Sequence, residues 1–449
     1  MGEDWKNKRV LVVGMARSGV AAAGLLCAQG ALPVLSDSRP DKAGLDTLIA
    51  MGCQARLGEM PETLVDGCDA VVVSPAVPMD APVVRRAQAL HVPVLGELEL
   101  AARFVRGTQV AVTGTNGKTT TVSLTGEMLR NAGRRAFVAG NIGLALSGVA
   151  LETREEDVCV IEVSSFQLET VDRFHPHVAA LLNLTPDHLN RHGTMEAYGA
   201  LKSRITERQE ARDFFVYNAD DPFCAQVASQ TRAQAVPFSR LTPQETGAWV
   251  ENEQILVEGR ALCGVDALSL PGPHNLENAL AASAMASCLG VPAPVIRHTL
   301  RTFAGVEHRM ESVRVLDGVR YINDSKGTNP DASIRAVEGM TVPTVLIAGG
   351  DEKGTSFDGF AWAIRANPNI RSVVLMGKTA GKIGEALERA GYSAYQTAGY
   401  DLEKAVRLAR QAAERGGAVL LSPACASFDM FSDYEERGKQ FKRIVNALA

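Results

Sequence analysis

A lysine, two glycines and several hydroxyl residues are grouped in the segment 110–121, behind the apolar run Val-Ala-Val. Glycines let backbone N–H groups turn toward an anion, and a helix that starts here adds partial positive charge. Lys118 supplies a full positive charge, and Thr119 is placed to bind Mg²⁺. The segment therefore predicts a strand, a nucleotide-phosphate loop and a helix over 122–130, with a structural turn as the alternative. Val112 stands where eight-residue phosphate loops begin with glycine.

Polar side chains also follow other predicted strands, at the end where open α/β sheets bind their ligands. Glu162 leaves a buried strand and suits Mg²⁺, which prefers hard oxygen ligands. In the alternative interpretation, Ser164 or Ser165 caps a helix there. His188 is either a metal ligand or a substrate contact, and its spacing to His192 gives little support for a zinc site.

Three polar loops follow predicted strands in the last third of the chain. The segment 323–330 combines a carboxylate, an amine and hydroxyls, and the segment 349–353 combines glycines with an adjacent charge pair. The segment 422–427 ends the last strong strand in a similar way. Each loop alone is more typical of a turn, but together with a phosphate loop they favour a functional role.

The first part of the chain has the layout of a Rossmann-type βαβ unit. A strand over 9–13 leads through Gly14–Gly19 into an alanine-rich helix, and a second strand over 33–36 ends at Asp37. Ala16 replaces the second glycine of a dinucleotide fingerprint. The turn therefore predicts either a nucleotide-sized ligand or a structural helix start.

Composition narrows the class of protein. The chain has 449 residues, 46% hydrophobic and 22% charged, which predicts two or three globular domains. A net charge of −5 gives no case for nucleic acid or membrane binding. The 8 cysteines have no zinc-like spacing, and the charged first residues do not form a signal peptide. We therefore expect a cytoplasmic protein with reduced thiols and no transmembrane segment.

The hydrophobic pattern predicts three successive α/β units with mostly parallel sheets. Further strands are predicted at 70–73, 158–163, 178–184, 214–217, 254–257, 319–322, 345–348, 372–376 and 418–421. The segment 231–270 reads as less regular. Pro273 begins an alanine-rich helix through Leu289, with Asn275 and Asn278 on one face. The predicted domains are 1–106, 107–306 and 307–449.

The chain resembles the Mur ligases of peptidoglycan synthesis. The motifs that carry the resemblance run through nearly the whole chain: TGTNGKT, EVSSFQLE, LNLTPDHLNRHG, YGALKSRI, PGPHNLENALAA, HRMESV, NDSKGTNP, GGDEKG and LSPACASFDMF. The resemblance implies a Rossmann-like UDP-binding domain, a central P-loop ATPase-type domain and a C-terminal Rossmann-like amino-acid-binding domain. The implied reaction is ATP-dependent ligation of D-glutamate to UDP-N-acetylmuramoyl-L-alanine through an acyl phosphate.

The resemblance also implies three groups of ligand contacts. The ATP contacts are Gly114, Thr115, Asn116, Gly117, Lys118, Thr119, Thr120, Asn278, Arg309 and Asp324. The UDP-substrate contacts are Ala16, Asp37, Arg39, Ser74, Asn141 and Gln167. The D-glutamate contacts are Lys326, Thr328, Lys353, Ser427 and Tyr434. Tyr434 departs from the phenylalanine of the best-known members, which leaves its contact with D-glutamate open.

Catalytic roles are implied for Lys118, Glu162, His188 and Lys202. The same resemblance implies two Mg²⁺ sites, which Mn²⁺ can also suit, with Thr119, Glu162, His188 and Lys202 as ligands. Lys202 matches a lysine that the family carries as a carbamate, and no local pattern in this chain singles it out. We expect a monomer that binds only small-molecule substrates.

Two rival interpretations remain. The first is another amide ligase of the same superfamily, which adds a different amino acid or resembles folylpolyglutamate synthase; the NDSKGTNP loop argues against it. The second is a P-loop GTPase-type switch. The chain has no N-K-x-D guanine motif, and such a switch would leave the UDP-type first unit unexplained.

Overall fold

A computed structural model describes residues 4–40, 42, 44–141, 143–270, 272–351 and 356–448, apart from the side chain of Asn190. The chain divides into two compact units, Met1–Ala304 and Gly305–Ala449. The first unit contains two sheets and the second contains one. The architecture is thus a three-domain α/β fold, as predicted. Among the described residues, no helix combines the length and apolar character that crossing a lipid bilayer requires.

The first sheet is parallel, in the order β3-β2-β1-β4-β5. Its strands are β1 Arg9–Val13, β2 Leu32–Ser36, β3 Gln54–Ala55, β4 Ala70–Val73 and β5 Val94–Gly96. Its helices are α1 Arg17–Ala28, α2 Asp46–Ala50, α3 Pro82–Ala89 and α4 Glu97–Ala102, with a short 3₁₀ helix at Pro61–Leu64. The predicted strands over 9–13, 33–36 and 70–73 are confirmed. Helices cover both faces, which is why these strands read as continuous apolar runs.

The second sheet has the order β14-β13-β12-β11-β10-β9-β6-β8-β7. Its strands are β6 Thr108–Thr113, β7 Ala136–Gly140, β8 Val158–Glu162, β9 Val178–Leu181, β10 Phe214–Asn218, β11 Gln234–Ser239, β12 Ala248–Glu251, β13 Gln254–Val257 and β14 Arg260–Gly264. Its α-helices are α5 Lys118–Asn131, α6 Ser165–Leu168, α7 Leu189–His192, α8 Met195–Ser203, α9 Pro222–Gln230, α10 Pro273–Cys288 and α11 Ala293–Thr302. The 3₁₀ helices are Leu146–Gly148, Ala150–Glu152, Arg204–Thr206 and Val265–Ala267. Only the pairings of β13 with β12 and β14 are antiparallel.

Three predictions for this sheet need correction. Helix α5 begins at Lys118 rather than at Val122, because the loop turns directly into the helix at Gly117. The strand predicted over 178–184 ends at Leu181, after which Asn183 turns toward the phosphate loop. The segment 231–270, predicted as less regular with a strand over 254–257, forms four strands, one of which is the predicted Gln254–Val257.

The second unit is a doubly wound domain with the sheet order β15-β16-β20-β17-β18-β19. Its strands are β15 Glu311–Leu316, β16 Val319–Asn323, β17 Thr344–Gly349, β18 Ile370–Met376, β19 Tyr395–Gly399 and β20 Ala418–Leu421. Its helices are α12 Pro330–Glu338, α13 Asp358–Ala366, α14 Ala380–Arg389, α15 Leu402–Ala412 and α16 Tyr434–Ala447. The β15–β16 hairpin is antiparallel and the other pairings are parallel.

Candidate functional site

The phosphate loop joins the end of β6 to the start of α5. Gly114 and Gly117 have φ values of +147° and +85°, a region that disfavours other residues. A Cβ atom on Gly117 would lie 2.2 Å from Oδ1 of Asn278, so the loop packs too closely for a side chain there. Gly117 precedes the helix without a side-chain cap. The first N–H groups of α5, which lack acceptors within the helix, are therefore suited to bind an anion.

Two lysines converge on this loop. The Lys118 ammonium donates to the carbonyl oxygens of Gly114 (2.9 Å) and Thr115 (2.8 Å). Lys202, near the end of α8, donates to the same Gly114 oxygen at 2.8 Å and lies 4.6 Å from the centre of the Tyr198 ring. Its side chain is almost fully buried. Burial lowers the pKa of Lys202 well below its usual value, and the Lys118 cation lowers that pKa further. Lys202 is therefore biased toward the neutral amine.

Glu162 ends β8, the strand next to β6, and this adjacency brings it to the loop. The Thr119 hydroxyl donates to Oε2 of Glu162 at 2.7 Å, and the Asn141 amide donates to Oε1 at 2.9 Å. Ser164 caps α6, and Gln167 completes a capping box with it. The helix-cap interpretation is therefore correct for Ser164, and it is compatible with a metal-binding role for Glu162.

His188 has a left-handed backbone conformation with φ +52°, directly before α7. Such conformations of non-glycine residues are concentrated at functional sites. Its ring contacts the Phe166 ring edge to face at 4.8 Å, and its Nε2 lies 3.5 Å from Asp187. His192 is stacked on Tyr198, and burial lowers its pKa. In the described part of the chain, no group of three or more His, Cys, Asp or Glu side chains could hold a metal ion.

Asn183 and Thr185, which lie in the motif LNLTPDHLNRHG but were given no site role of their own, hold the phosphate loop in place. The carbonyl and side-chain oxygens of Asn183 accept the N–H groups of Thr115 (3.0 Å) and Asn116 (2.9 Å). The carbonyl oxygen of Thr185 accepts the Thr115 hydroxyl at 3.0 Å. Both residues follow β9, which pairs with β6 on the side opposite β8. Their position after a strand was the available signal.

Arg191 was also missed, although it lies within a quoted motif. Its guanidinium binds both carboxylate oxygens of Glu169, at 3.2 and 2.6 Å. It also donates to the carbonyl oxygens of Ala76 and Val77, which follow β4, and it lies 4.8 Å over the Phe166 ring. Arg191 thus connects the loop after β4 of the first sheet to the segment around α6, which belongs to the second sheet.

Asn278 is the only predicted ATP contact on α10. Its Oδ1 accepts a hydrogen bond from Thr121 at 3.4 Å, and it is the atom that a Gly117 side chain would meet. Asn278 therefore lies against the phosphate loop. Thr120, the remaining loop residue, is buried in the first turn of α5.

Four predicted UDP-substrate residues lie at the carboxyl edge of the first sheet. Ala16 is the N-cap of α1, Ser74 follows β4, and Asp37 and Arg39 follow β2. Asp37 accepts the N–H groups of Met15 (2.8 Å) and Arg39 (3.1 Å). Burial acts to raise the pKa of Asp37, but the N–H groups of Arg39 and Met15 and the charged, hydrogen-bonded Arg39 side chain together outweigh it, so the pKa is lowered.

The other two predicted UDP-substrate residues lie near the second sheet. Gln167 lines a cleft together with Ser74, Glu97 and Phe166. Asn141 follows β7 and reaches Glu162. Ser74 and Gln167 therefore line one cleft of the first unit, and Asn141 lies beside Glu162, which contacts Thr119.

In the second unit, Asp324 follows β16 and is fully buried. It accepts hydrogen bonds from the Ser422 hydroxyl (2.7 Å) and the Met310 N–H (3.3 Å). Burial raises the pKa of Asp324 to about 6, against the effect of the nearby Arg309 cation. Nε of Arg309 is buried and has no hydrogen-bond partner among the described residues.

Four of the five predicted D-glutamate residues lie in the described part of the second unit. The Lys326 ammonium lies 5.4 Å from the centre of the Tyr434 ring, which meets the His308 ring edge to face. Thr328 follows Lys326 in the loop before α12, and Ser427 is buried after β20. Lys353 lies outside the described residues.

Arg437, on α16, is a buried cation that no sequence pattern indicated. It donates to the Ser325 hydroxyl and to the carbonyl oxygens of Ser325, Cys425 and Ala426. Burial lowers the pKa of Arg437 to about 10. These bonds connect the loop after β16 to the loop after β20.

Comparisons with known proteins match the whole chain. Family profiles described as a MurD-like N-terminal domain, a Mur ligase middle domain and a Mur ligase glutamate ligase domain match residues 8–96, 112–286 and 308–425. The UDP-N-acetylmuramoylalanine–D-glutamate ligases of Alkaliphilus oremlandii and Caldanaerobacter subterraneus are 48% and 45% identical, each over 99% of both chains.

Solved structures show the same fold at lower sequence identity. The UDP-N-acetylmuramate–alanine ligase MurC from Thermotoga maritima superposes with a TM-score of 0.64 at 20% identity, over 98% of this chain and 99% of its own. MurF from the same organism, solved in complex with ADP, gives 0.63 at 18% identity over 100% of both chains.

Proposed function

The chain belongs to the Mur ligase family, and from that premise we propose that it joins D-glutamate to UDP-N-acetylmuramoyl-L-alanine. ATP is converted to ADP and phosphate, and the product is a cytoplasmic precursor of peptidoglycan. The observation that carries the proposal is the loop at Gly114–Lys118, with two lysines and a buried Thr119–Glu162 pair at one helix start. The full-length relatives at 45–48% identity support D-glutamate as the amino acid.

The ATP phosphates bind at the N-terminus of α5 in this proposal. The N–H groups of the first turn and the Lys118 ammonium offset the negative charge of the phosphates. The same groups stabilise charge on the γ-phosphoryl group as the substrate carboxylate attacks it and an acyl phosphate forms. The D-glutamate amine then displaces phosphate from that acyl group, which completes the amide bond.

The residues around the loop fit a hard divalent cation. The Thr119 hydroxyl and the Glu162 carboxylate, 2.7 Å apart, are both oxygen donors, and Mg²⁺ normally keeps several waters. When bound, Mg²⁺ (or Mn²⁺) supplies positive charge to the transferring phosphoryl group. We assign Thr119, Glu162, His188 and Lys202 to two such sites.

Lys202 is proposed to react with CO₂ and become a carbamate. The amine must be neutral to attack CO₂, and burial favours that form by lowering the pKa of Lys202. The resulting carboxylate-like oxygens would give an oxygen ligand beside the phosphate loop. In gentle, nonacidic mass spectrometry, the wild-type protein should carry the additional mass of one CO₂. A Lys202→Met variant prepared beside it should lack that additional mass. Equal masses after correction for the substitution would contradict the assignment.

The remaining proposed contacts are Asn278 in the first unit and a group of residues in the second unit. Arg309 and Asp324 are assigned to ATP, and Asn278 on α10 to the same ligand. Lys326, Thr328, Lys353, Ser427 and Tyr434 are assigned to D-glutamate, whose carboxylates suit cations and hydroxyls. We also propose domain limits of 1–106, 107–306 and 307–449, which contain the three matched segments, and a monomeric state.

Replacement of Lys118 tests whether the phosphate loop takes part in the reaction. Lys118→Ala should lower ATP-dependent phosphate release, with all substrates present, by at least about 100-fold, because it removes charge stabilisation from phosphoryl transfer. Lys8→Ala is the matched control: Lys8 is an exposed lysine that pairs with Asp69 in the first sheet, so the variant should retain wild-type turnover. Near-wild-type turnover by Lys118→Ala would contradict the phosphate-loop assignment.

A further inference from the structure

Two cysteines of the first sheet are placed to react with each other. Cys27 lies in the last turn of α1, and Cys53 directly precedes β3. Their sulfur atoms are 3.0 Å apart, and both cysteines are free thiols. A disulfide requires a sulfur–sulfur distance of about 2.05 Å, so closure needs a movement of about 1 Å shared between two segments.

The two thiols differ in access to solvent. Cys27 is half-buried, whereas Cys53 is only 5% exposed. Burial, together with the hydrogen bond with Cys27, raises the pKa of Cys53 to about 12. An oxidant in solution therefore meets Cys27 first, and Cys53 is the thiol behind it.

We propose that Cys27 and Cys53 form a reversible intramolecular disulfide on exposure to a peroxide, and that this cross-link stabilises the first sheet without stopping the ligase reaction. Peroxide oxidises the Cys27 sulfur to a sulfenic acid and releases one water. The Cys53 sulfur then attacks the Cys27 sulfur, the S–O bond breaks, and the hydroxyl leaves with the Cys53 proton as a second water. Two thiols thus lose two electrons and two protons to one peroxide.

The position of the bond explains both expected effects. It closes the segment 27–53, which contains β2, and so restricts the unfolded chain. Ala16, at the other end of α1, lies about 16 Å from Cys27 along the helix axis at 1.5 Å per residue. Because the movement is only about 1 Å, is shared between two segments and lies at the far end of α1, we expect the proposed substrate loop to stay in place. Only the activity part of this inference rests on the proposed function.

The experiment treats the full chain with a small excess of hydrogen peroxide and then removes the peroxide. The wild type should lose the mass of two hydrogen atoms, give a Cys27–Cys53 cross-linked peptide, and unfold a few degrees higher. Dithiothreitol should reverse all three changes. Cys53→Ser and Cys27→Ser should show neither the cross-link nor the stabilisation. Cys68→Ser is the matched control, because Cys68 lies in the same sheet region and its thiol donates to the Leu64 carbonyl oxygen instead.

Specific results would overturn the inference. They are oxidation of Cys27 that stops at a sulfenic or higher acid, a cross-link between two chains, and an unchanged or lowered unfolding temperature in the cross-linked protein. Loss of phosphate release in the oxidised wild type beyond about twofold, absent from oxidised Cys53→Ser, would show a switch rather than a stabilising bond. The mass and peptide map are read on the wild type without any assay of activity, so they stay informative if the proposed function fails or if a variant does not fold.

Discussion

The Gly117→Ala substitution tests the geometry of the phosphate loop most sharply. Gly117 has φ +85°, which costs an alanine about 1 kcal/mol in backbone strain. The added Cβ would also meet Oδ1 of Asn278 at 2.2 Å and a Leu182 methyl at 3.2 Å. Because Asn278 and Leu182 are buried in the core of the unit, relief of this overlap should cost a further ~1–3 kcal/mol.

Gly133→Ala is the matched control for this substitution. Gly133 has a similar φ of +77°, but a Cβ there meets no atom within 4 Å. It should therefore show the backbone cost of about 1 kcal/mol alone. Urea unfolding followed by circular dichroism gives both free-energy differences, and titration with ATP gives the affinity of each variant. Gly117→Ala should lose most ATP affinity because relief of the overlap moves the N–H groups of the loop, whereas Gly133→Ala should keep it.

Equal destabilisation of the two variants would contradict the close packing of Gly117 against Asn278. Wild-type ATP affinity in a folded Gly117→Ala variant would refute the assignment of this loop to the nucleotide. Because both variants share the backbone cost, neither result can be attributed to that cost.

Three further predictions concern charged residues. Burial raises the folded-state pKa of Asp324 from 3.8 to about 6, so between these pH values the folded state binds more protons than the unfolded state and stability falls as pH rises. In urea unfolding, Asp324→Asn should therefore be more stable than wild type by about 3 kcal/mol at pH 8 and equally stable near pH 4. In CO₂-free buffer, where Lys202 is a free amine, burial lowers its folded-state pKa, so stability should rise with pH from that lowered pKa up to about 10.4; Lys202→Met should flatten this rise in thermal scans at several pH values. Arg191→Lys should lower the free energy of unfolding by about 2 kcal/mol, because lysine cannot reproduce the bidentate contact with Glu169. The control Arg208→Lys, at an exposed ion pair, should lower it by under about 1 kcal/mol, and similar losses for both variants in urea unfolding would contradict the special role of Arg191.

The limits of the strands could be predicted from the sequence where nearly every residue of the strand is buried. The strands Arg9–Val13, Ala70–Val73 and Ala418–Leu421 match their predicted limits, since parallel strands covered on both faces appear as unbroken apolar runs. The end of β9 was not predictable in this way. Leu182 is buried like the residues before it, so hydrophobicity does not mark the point where the chain leaves the sheet.

The candidate site was predictable to the extent that it lies after strands. Glu162 was selected from such a position and Thr119 from the phosphate-loop pattern, and they are in contact because β8 is the neighbour of β6. Lys202 and Arg437 were not selected by any local pattern. Lys202 lies on α8 and Arg437 on α16, and the burial of each depends on contacts with segments far away in sequence. Lys202 was identified by family resemblance alone.

The proposed reaction uses ATP to join D-glutamate to UDP-N-acetylmuramoyl-L-alanine. The most direct test measures phosphate release, together with the product mass, in reactions that contain ATP, Mg²⁺, the UDP-linked substrate and one amino acid. We expect release with D-glutamate, little release with L-glutamate, L-alanine or diaminopimelate, and none without the UDP-linked substrate. Preferred use of another amino acid, or release that does not depend on the UDP-linked substrate, would contradict the proposed reaction.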